Sequence, residues 1–330
     1  MGNFSWGKRM TRAAKSLLAL ILAISSLGLP IAGMAQRASG ETRPAQTFEF
    51  QSYTEIAALA DSLGYTSEAW TNGSRAVPRL YLTEIPQRWR DRTSREVSVE
   101  VKKQLFFRLL MPAVLSTNEM IRRDRALAEE LVSRISSEGG LSDAETAWLA
   151  RLAARYGVIS SEYESPDSDA LEELLTYRLL PVPVSLVMAQ AAEESGWGTS
   201  RFAAEGNALF GQWAWSGRRM RPAQQRAELG DYGIAAFEAP LQSVVAYMLN
   251  LNSHAAYAEL RAQRAELRDS GSSVSGRVLA ETLTRYSERG EEYVETLHTI
   301  MRVNRLDATD EAYLDDGPSI FLIPVDPGSQ

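Results

Sequence analysis

The chain has 330 residues, 45% hydrophobic and 23% charged, with no cysteine and a formal net charge of −7. That length holds one large domain or two modest ones around a full core, and the composition excludes a disordered chain, a disulfide scaffold and a lipid-bearing cysteine. The acidity argues against nucleic acid as a partner and against electrostatic adhesion to anionic surfaces.

Lys8, Arg9, Arg12 and Lys15 precede an apolar run from Leu17 to Leu29 and a small-residue exit at Gly33-Met34-Ala35. This is the layout of a secretory signal peptide over residues 1–35, cleaved after Ala35, and the run is too short for a comfortable permanent membrane span. An uncleaved anchor is the competing reading. Losing those four positive charges takes the formal net charge from −7 to −11.

Residues 36–46 are polar and read as a tether, and from Phe48 to Trp89 the pattern is mixed, with VPRLYLTEIP (Val77 to Pro86) extended or turning between two prolines. From Val99 the apolar positions Val101, Leu105, Leu109, Val114, Leu115, Met120, Ile121, Leu127 and Leu131 predict a long amphipathic helix, with a kink at Pro112. Ser142 and Glu145 form a capping-box pair that opens the next helix. The acidic, serine-rich stretch SSEYESPDSDA (160–170) is the best linker candidate and separates a mostly helical region at 36–160 from a second unit at 165–306. Helical patterns recur at 169–178, 183–195, 240–253, 255–268, 276–285 and 290–304, while 208–238 holds a small hairpin around Gly217 and Gly230. The tail, 307–330, is acidic and carries three prolines, so it is expected to lie loose or drape over the surface. No strand periodicity is long enough for a large sheet. The fold expected is mainly α, or α+β with one small hairpin.

Pro183 suits the first position of a helix that Gly196 and Gly198 end. At 100° per residue Val184, Val187, Met188 and Ala191 share one side; Glu193 lies opposite that stripe, and Glu194 at its edge beside Ser195 and Trp197. Glu193 is therefore expected towards solvent and Glu194 half buried. A half-buried carboxyl has its charged form disfavoured, which lets it donate a proton near neutrality, and cleavage of a glycosidic bond needs such a donor. An ordinary exposed pair at a helix end is the bland alternative. Trp197, Phe202, Phe210, Trp213 and Trp215 crowd the same stretch; flat rings suit sugars, although aromatics at a helix end are more often core.

The stretch MAQAAEESGWGTSRFAAEGNALFGQW (Met188 to Trp213) closely resembles the signature of the glucosaminidase family, the peptidoglycan-cleaving endo-β-N-acetylglucosaminidases of glycoside hydrolase family 73. YMLNLNSHAAYAELR (Tyr247 to Arg261), YSERGEEYVETLHTIMRVNRL (Tyr286 to Leu306) and the earlier FFRLLMPAVLSTNEMI are similar to the Bax-type members from Gram-negative bacteria. The resemblance spans roughly residues 75–306 and implies a lysozyme-like catalytic domain, a periplasmic location and peptidoglycan glycan strands as the partner. The family's catalytic acid falls on Glu194, its Ser-Gly-Trp-Gly on Ser195 to Gly198, and its loop on Asn207, Leu209, Phe210 and Gly211. A glycan-binding set follows: Trp197, Asn207, Phe210, Trp213, Tyr247, Tyr257 and Tyr286. Members often supply a second acid from a hairpin; here no residue falls on that position unambiguously, and Glu228 and Asp231 are the candidates, with Glu238 weaker. The resemblance therefore leaves three routes open: inverting, retaining, or assisted by the substrate's own acetamido group.

Only His254 and His298 occur, with no HExxH, which disfavours a zinc peptidase or amidase; His254 reads as a helix-junction hydrogen-bonding residue. No phosphate-binding glycine loop or nucleophile elbow appears, and no metal or cofactor is implied. Tyr293 shares helical spacing with Leu297, Ile300 and Met301, so it reads as a packing residue as readily as a groove residue, and Arg289 as paired to a carboxylate or solvated. Two alternatives to the hydrolase stand: a lytic transglycosylase, and a silent wall-binding protein of the same fold.

Overall fold

In the computed structural model residues 44–137, 139–223 and 230–325 are described; the expected signal peptide (1–35) and Glu228 lie outside them. Strand β1 (Gln46–Phe50) leads into short helices α1 (Tyr53–Ser62) and α2 (Ser67–Thr71), then β2 (Ala76–Val77) and β3 (Leu80–Leu82). The prolines at 78 and 86 bracket β3, so the extended reading of this segment holds.

Helix α3 (Val99–Ser136) starts at Ser98, whose side chain accepts from Val101 N, and runs through Pro112 without interruption. Pro112 is buried, as are Ala113 to Asn118, so this helix stays in the interior where its proline falls. Helix α4 (Asp143–Arg155) carries the full capping box of Ser142 and Glu145, with two orphan N–H groups satisfied reciprocally. Across the 160–170 stretch, α5 (Ser168–Glu173) continues as a wider turn over Leu174–Arg178. Ala128, Leu149, Ala153 and Tyr156 share one apolar cluster with Leu171, Leu174 and Leu179, so the two flanks of that stretch pack on each other.

Helix α6 (Val184–Ser195) is the centre of the fold, and every residue from Val182 to Ala192 is buried. Such a helix is apolar all round and must be enclosed by other elements. The main cluster does this with Phe106, Leu110 and Val114 of α3, Val187 and Met188 of α6 itself, and side chains from the later helices. Those are α7 (Arg201–Gly206), then, beyond β4 (Trp213–Ala214), β5 (Arg219–Met220) and β6 (Gly233–Ala235), helices α8 (Pro240–Ser253), α9 (Ala258–Asp269), α10 (Gly276–Ala280) and α11 (Glu291–Val303). The expected hairpin is a three-stranded antiparallel sheet in the order β4-β6-β5, Gly217 turning between β4 and β5 and Gly230 preceding β6.

The carboxy-terminal segment corrects the expectation of a loose tail. After β7 (Tyr313–Leu314), strand β8 (Ile320–Pro324) lies between β1 and β3 in a parallel sheet, and Ile320, Phe321 and Leu322 are buried. A strand covered on both faces reads as a short apolar run without alternation, here hidden between prolines 318 and 324. Ahead of β7, Asp310 accepts from Ser185 N at 2.8 Å, Ser185 Oγ at 2.7 Å and Gly276 N at 3.1 Å. One carboxylate thus caps the first turn of α6 and reaches the start of α10.

Two contacts fix α6 against its neighbours. Asn118 of α3, buried, accepts from Val182 N at 2.9 Å and donates to Val182 O at 2.8 Å. At Gly276 a Cβ would lie 2.5 Å from Leu186 N and closer still to Ser185 Oγ, so α10 crosses α6 where only hydrogen fits. Asn118→Ala strands a buried N–H and C=O together and should cost about 2–4 kcal/mol in chemical denaturation; a cost below about 0.5 kcal/mol would show the clasp to be dispensable. Gly276→Ala should cost about 1–3 kcal/mol by overpacking, and an unchanged midpoint would contradict the close approach.

Candidate active site

Helix α6 ends in a left-handed turn in which Gly196 (φ 57°), Trp197 (φ 63°) and Gly198 (φ 75°) take positive φ in succession. Glycine accepts this freely; tryptophan does so under strain and needs its surroundings to hold it. Here Phe106 and Phe107 of α3 meet the Trp197 ring edge-on at 5.8 and 5.1 Å, Lys103 Nζ lies 5.0 Å from it, and Trp89 Nε1 donates to Trp197 O at 3.1 Å. Ser195 Oγ donates to Ala191 O at 2.6 Å and accepts from Gly198 N at 2.8 Å. The chain therefore turns away at once after Glu194.

Both acids are half buried, and they have different partners. Glu193 is paired with Arg289 at 2.7 Å, its side chain 26% exposed, so it is engaged by a cation rather than free in solvent as expected. Glu194 Oε1 accepts from Tyr293 Oη at 2.9 Å. Burial raises the Glu194 pKa above the ordinary carboxylate value and the Glu193 charge adds to this; the Tyr293 hydrogen bond and Arg289 oppose it. The carboxy-terminal end of α6 carries the negative end of the helix dipole, which also disfavours a second negative charge there.

Tyrosines surround this carboxyl. Tyr286 stacks on Tyr293 at 5.1 Å and Tyr257 lies 6.3 Å from Tyr286; the hydroxyls of both Tyr257 and Tyr286 are pushed up in pKa by burial first and then by the Glu194 charge. Tyr247, 1% exposed, stacks on Phe210 at 3.8 Å with rings nearly parallel and donates to Gln190 Oε1. From Phe210 the chain enters β4, where Trp213 stacks on Tyr232 at 4.9 Å and lies 6.2 Å from Trp215.

The expected glycan-binding residues thus separate. Tyr257, Tyr286 and Trp213 are half-buried, whereas Phe210 and Tyr247 are buried and stacked on each other. Trp197 packs on α3. Asn207 sits at φ 51° with its Oδ1 accepting from Ile85 N and its Nδ2 donating to the carbonyls of Phe237 and Glu238, so it ties three loops together. Asp231 is exposed and held by Arg219 at 2.6 Å, with Arg221 at 4.0 Å; among the described residues the charges that act on Glu194 are Glu193 and Arg289. Glu238 is exposed and accepts no cation among the described residues. His254 Nδ1 accepts from Ala256 N, the helix-junction role expected of it.

Sequence reading left Gln190 unassigned, Tyr293 open between packing and groove, and Arg289 open between a carboxylate partner and solvent; the structure pairs Arg289 with Glu193. Gln190 stands one helical turn before Glu194 on the same face, and a polar residue on an otherwise apolar face was the available signal.

A family model described as mannosyl-glycoprotein endo-beta-N-acetylglucosaminidase matches residues 174–315. Protein bax of Escherichia coli (strain K12) is 34% identical over 207 residues, which cover 62% of this chain and 70% of that protein. No solved structure matches the chain.

Because burial raises its folded pKa, Glu194 contributes stability as the neutral acid at low pH, and loses that contribution as pH rises through the folded value. Glu194→Gln stays neutral throughout and can still accept from Tyr293. Its melting temperature minus that of the wild type should grow as pH rises from about 4.5, the ordinary glutamate range, and level off above the folded pKa. Calorimetry across pH checks this; a gap that shrinks with pH would mean that the folded pKa is lowered.

Proposed function

The chain belongs to the glucosaminidase family, as a Bax-type member, and we propose that it is an exported peptidoglycan hydrolase that cleaves the β-1,4 bond after N-acetylglucosamine. The observation that carries the reading is Glu194: a desolvated carboxyl at the end of a fully enclosed helix, with its neutral form favoured. A glycosidic oxygen leaves as a poor anion unless it is protonated as the bond to the anomeric carbon breaks. Glu194 supplies that proton. Glu193, neutralised by Arg289, does not compete for it.

The half-buried side chains of Tyr257, Tyr286 and Trp213 supply flat faces for the sugar rings, and the catalytic unit occupies about residues 165–306. The basic and apolar amino-terminal segment supports export to the periplasm, where the glycan strands lie. Because the rest of the chain is acidic, the polymer is recognised by shape and hydrogen bonding rather than by opposite charge.

The second partner in the reaction is a protein carboxylate, Asp231 or Glu228, or the acetamido group of the substrate. Arg219 holds Asp231 in an ion pair at 2.6 Å, and a second reading, lytic transglycosylation, needs one protein carboxyl only and forms an anhydro ring in place of water addition.

Digestion of purified peptidoglycan with residues 36–330, followed by product masses, tests both. Reducing N-acetylglucosamine ends are expected, and Glu194→Gln should lower their release by at least about 100-fold. Wild-type release by that variant would refute the assignment of the acid; anhydro-muramic ends would replace hydrolysis by the second reading; binding without turnover would leave a silent wall-binding protein.

A further inference from the structure

Gln190 is fully buried one turn before Glu194, in a helix that otherwise presents apolar or small side chains there. A buried amide must satisfy an acceptor and a donor, and its two ends do different work. Oε1 accepts from Tyr247 Oη. Nε2 donates to Tyr293 Oη at 3.2 Å, and Tyr293 Oη lies 2.9 Å from Glu194 Oε1.

A phenol has one proton. With the amide N–H on its lone pair, the Tyr293 proton is left for Glu194 Oε1. Were the amide reversed, Oε1 would draw the Tyr293 proton to itself, and Glu194 would have to donate to Tyr293 instead. In the orientation observed, Gln190 Oε1 is met by the hydroxyl of Tyr247, which is buried and stacked face to face on Phe210 at 3.8 Å.

We propose that Gln190 is a positioning residue: held by Tyr247, it fixes a one-way chain of hydrogen bonds from Tyr247 through Gln190 and Tyr293 to Glu194, and so leaves Oε2 as the oxygen that carries the transferable proton. The inference rests on the reading of Glu194 as the acid and adds to it which oxygen acts. An acid with its proton on a fixed oxygen meets the leaving group in one orientation and loses no rate to the other. Among the described residues, the titratable and charged groups around Glu194 are Glu193 on its own helix, Arg289 before α11, Tyr293 on α11, and Tyr247, Tyr257 and Tyr286 from the elements packed against it.

The test reads the carboxyl directly and needs no turnover: titration of the Glu194 side chain by carbon NMR in protein with labelled glutamate, the resonance being assigned by its absence in Glu194→Gln. Tyr293→Phe removes a donor to the carboxylate and should raise the Glu194 pKa by about one unit. Tyr247→Phe keeps the stack on Phe210 and frees the amide, and should raise it by less. An unchanged or lowered value in Tyr293→Phe would mean that Glu194 is the donor and would overturn the chain's direction. An unchanged value in Tyr247→Phe would remove Gln190 as its source. Should Tyr293→Phe fail to fold, Tyr247→Phe decides alone. Activity of Glu194→Gln judges the acid assignment separately, so the two readings can fail independently.

Discussion

Enclosing α6 on every side is the constraint from which the rest of the molecule follows. From Val182 to Ala192 no residue reaches solvent, so each polar group of that stretch needs a partner inside the protein. Asn118 serves the backbone of Val182, Asp310 the first turn, and Tyr247 with Tyr293 the amide of Gln190. Alanines at 189, 191 and 192 and the glycine at 276 keep the neighbours close enough to do so. A helix enclosed in this way is a rigid mount, and its two acids come out of the interior at one end only.

At that end, two chemically identical neighbours are made different by what each touches. Glu193 faces a guanidinium, which favours the anion; Glu194 faces a phenol inside an aromatic enclosure, where desolvation favours the neutral acid and the single hydrogen bond only partly offsets it. The left-handed Gly-Trp-Gly turn keeps the following chain off the carboxyl, and α3 holds Trp197 in that strained geometry through Phe106 and Phe107. The site is thus built on the amino-terminal half of the chain as well as on the segment that carries the acids.

Local signals explain what could be read from the sequence. Helix α6 and its end were written in Pro183, the apolar spacing and Gly196, and the α4 start in Ser142 and Glu145, because caps and periodicity act within a few residues. The half-burial of Glu194 followed from the same spacing; the Arg289 partner that takes Glu193 out of solvent did not, since it lies 96 residues away in the chain. Strand β8 was missed for a related reason. Its parallel partners begin at Gln46 and Leu80, and a buried strand of this length has neither alternation nor a nearby turn to declare it. Tyr293 satisfied a packing pattern and a polar role at once, and only the contact with Glu194 separates the two.

The position of β8 and Asp310 bears on what the folding unit is. The family match covers residues 174–315 and so includes Asp310, but β8 at Ile320–Pro324 lies beyond it, and both strands that β8 pairs with lie far before it. Arg79, between β2 and β3, donates to Asp315 O and to the Glu119 carboxylate of α3, while Arg88 donates to Phe50 O and Val325 O. These bonds close the two ends of the described chain on each other and on α3, the helix that braces Trp197. The segment that carries the two acids therefore does not supply all of its own support: α3 braces Trp197 directly, and β1, β3 and β8 pair into the sheet that is bonded to α3 through Arg79.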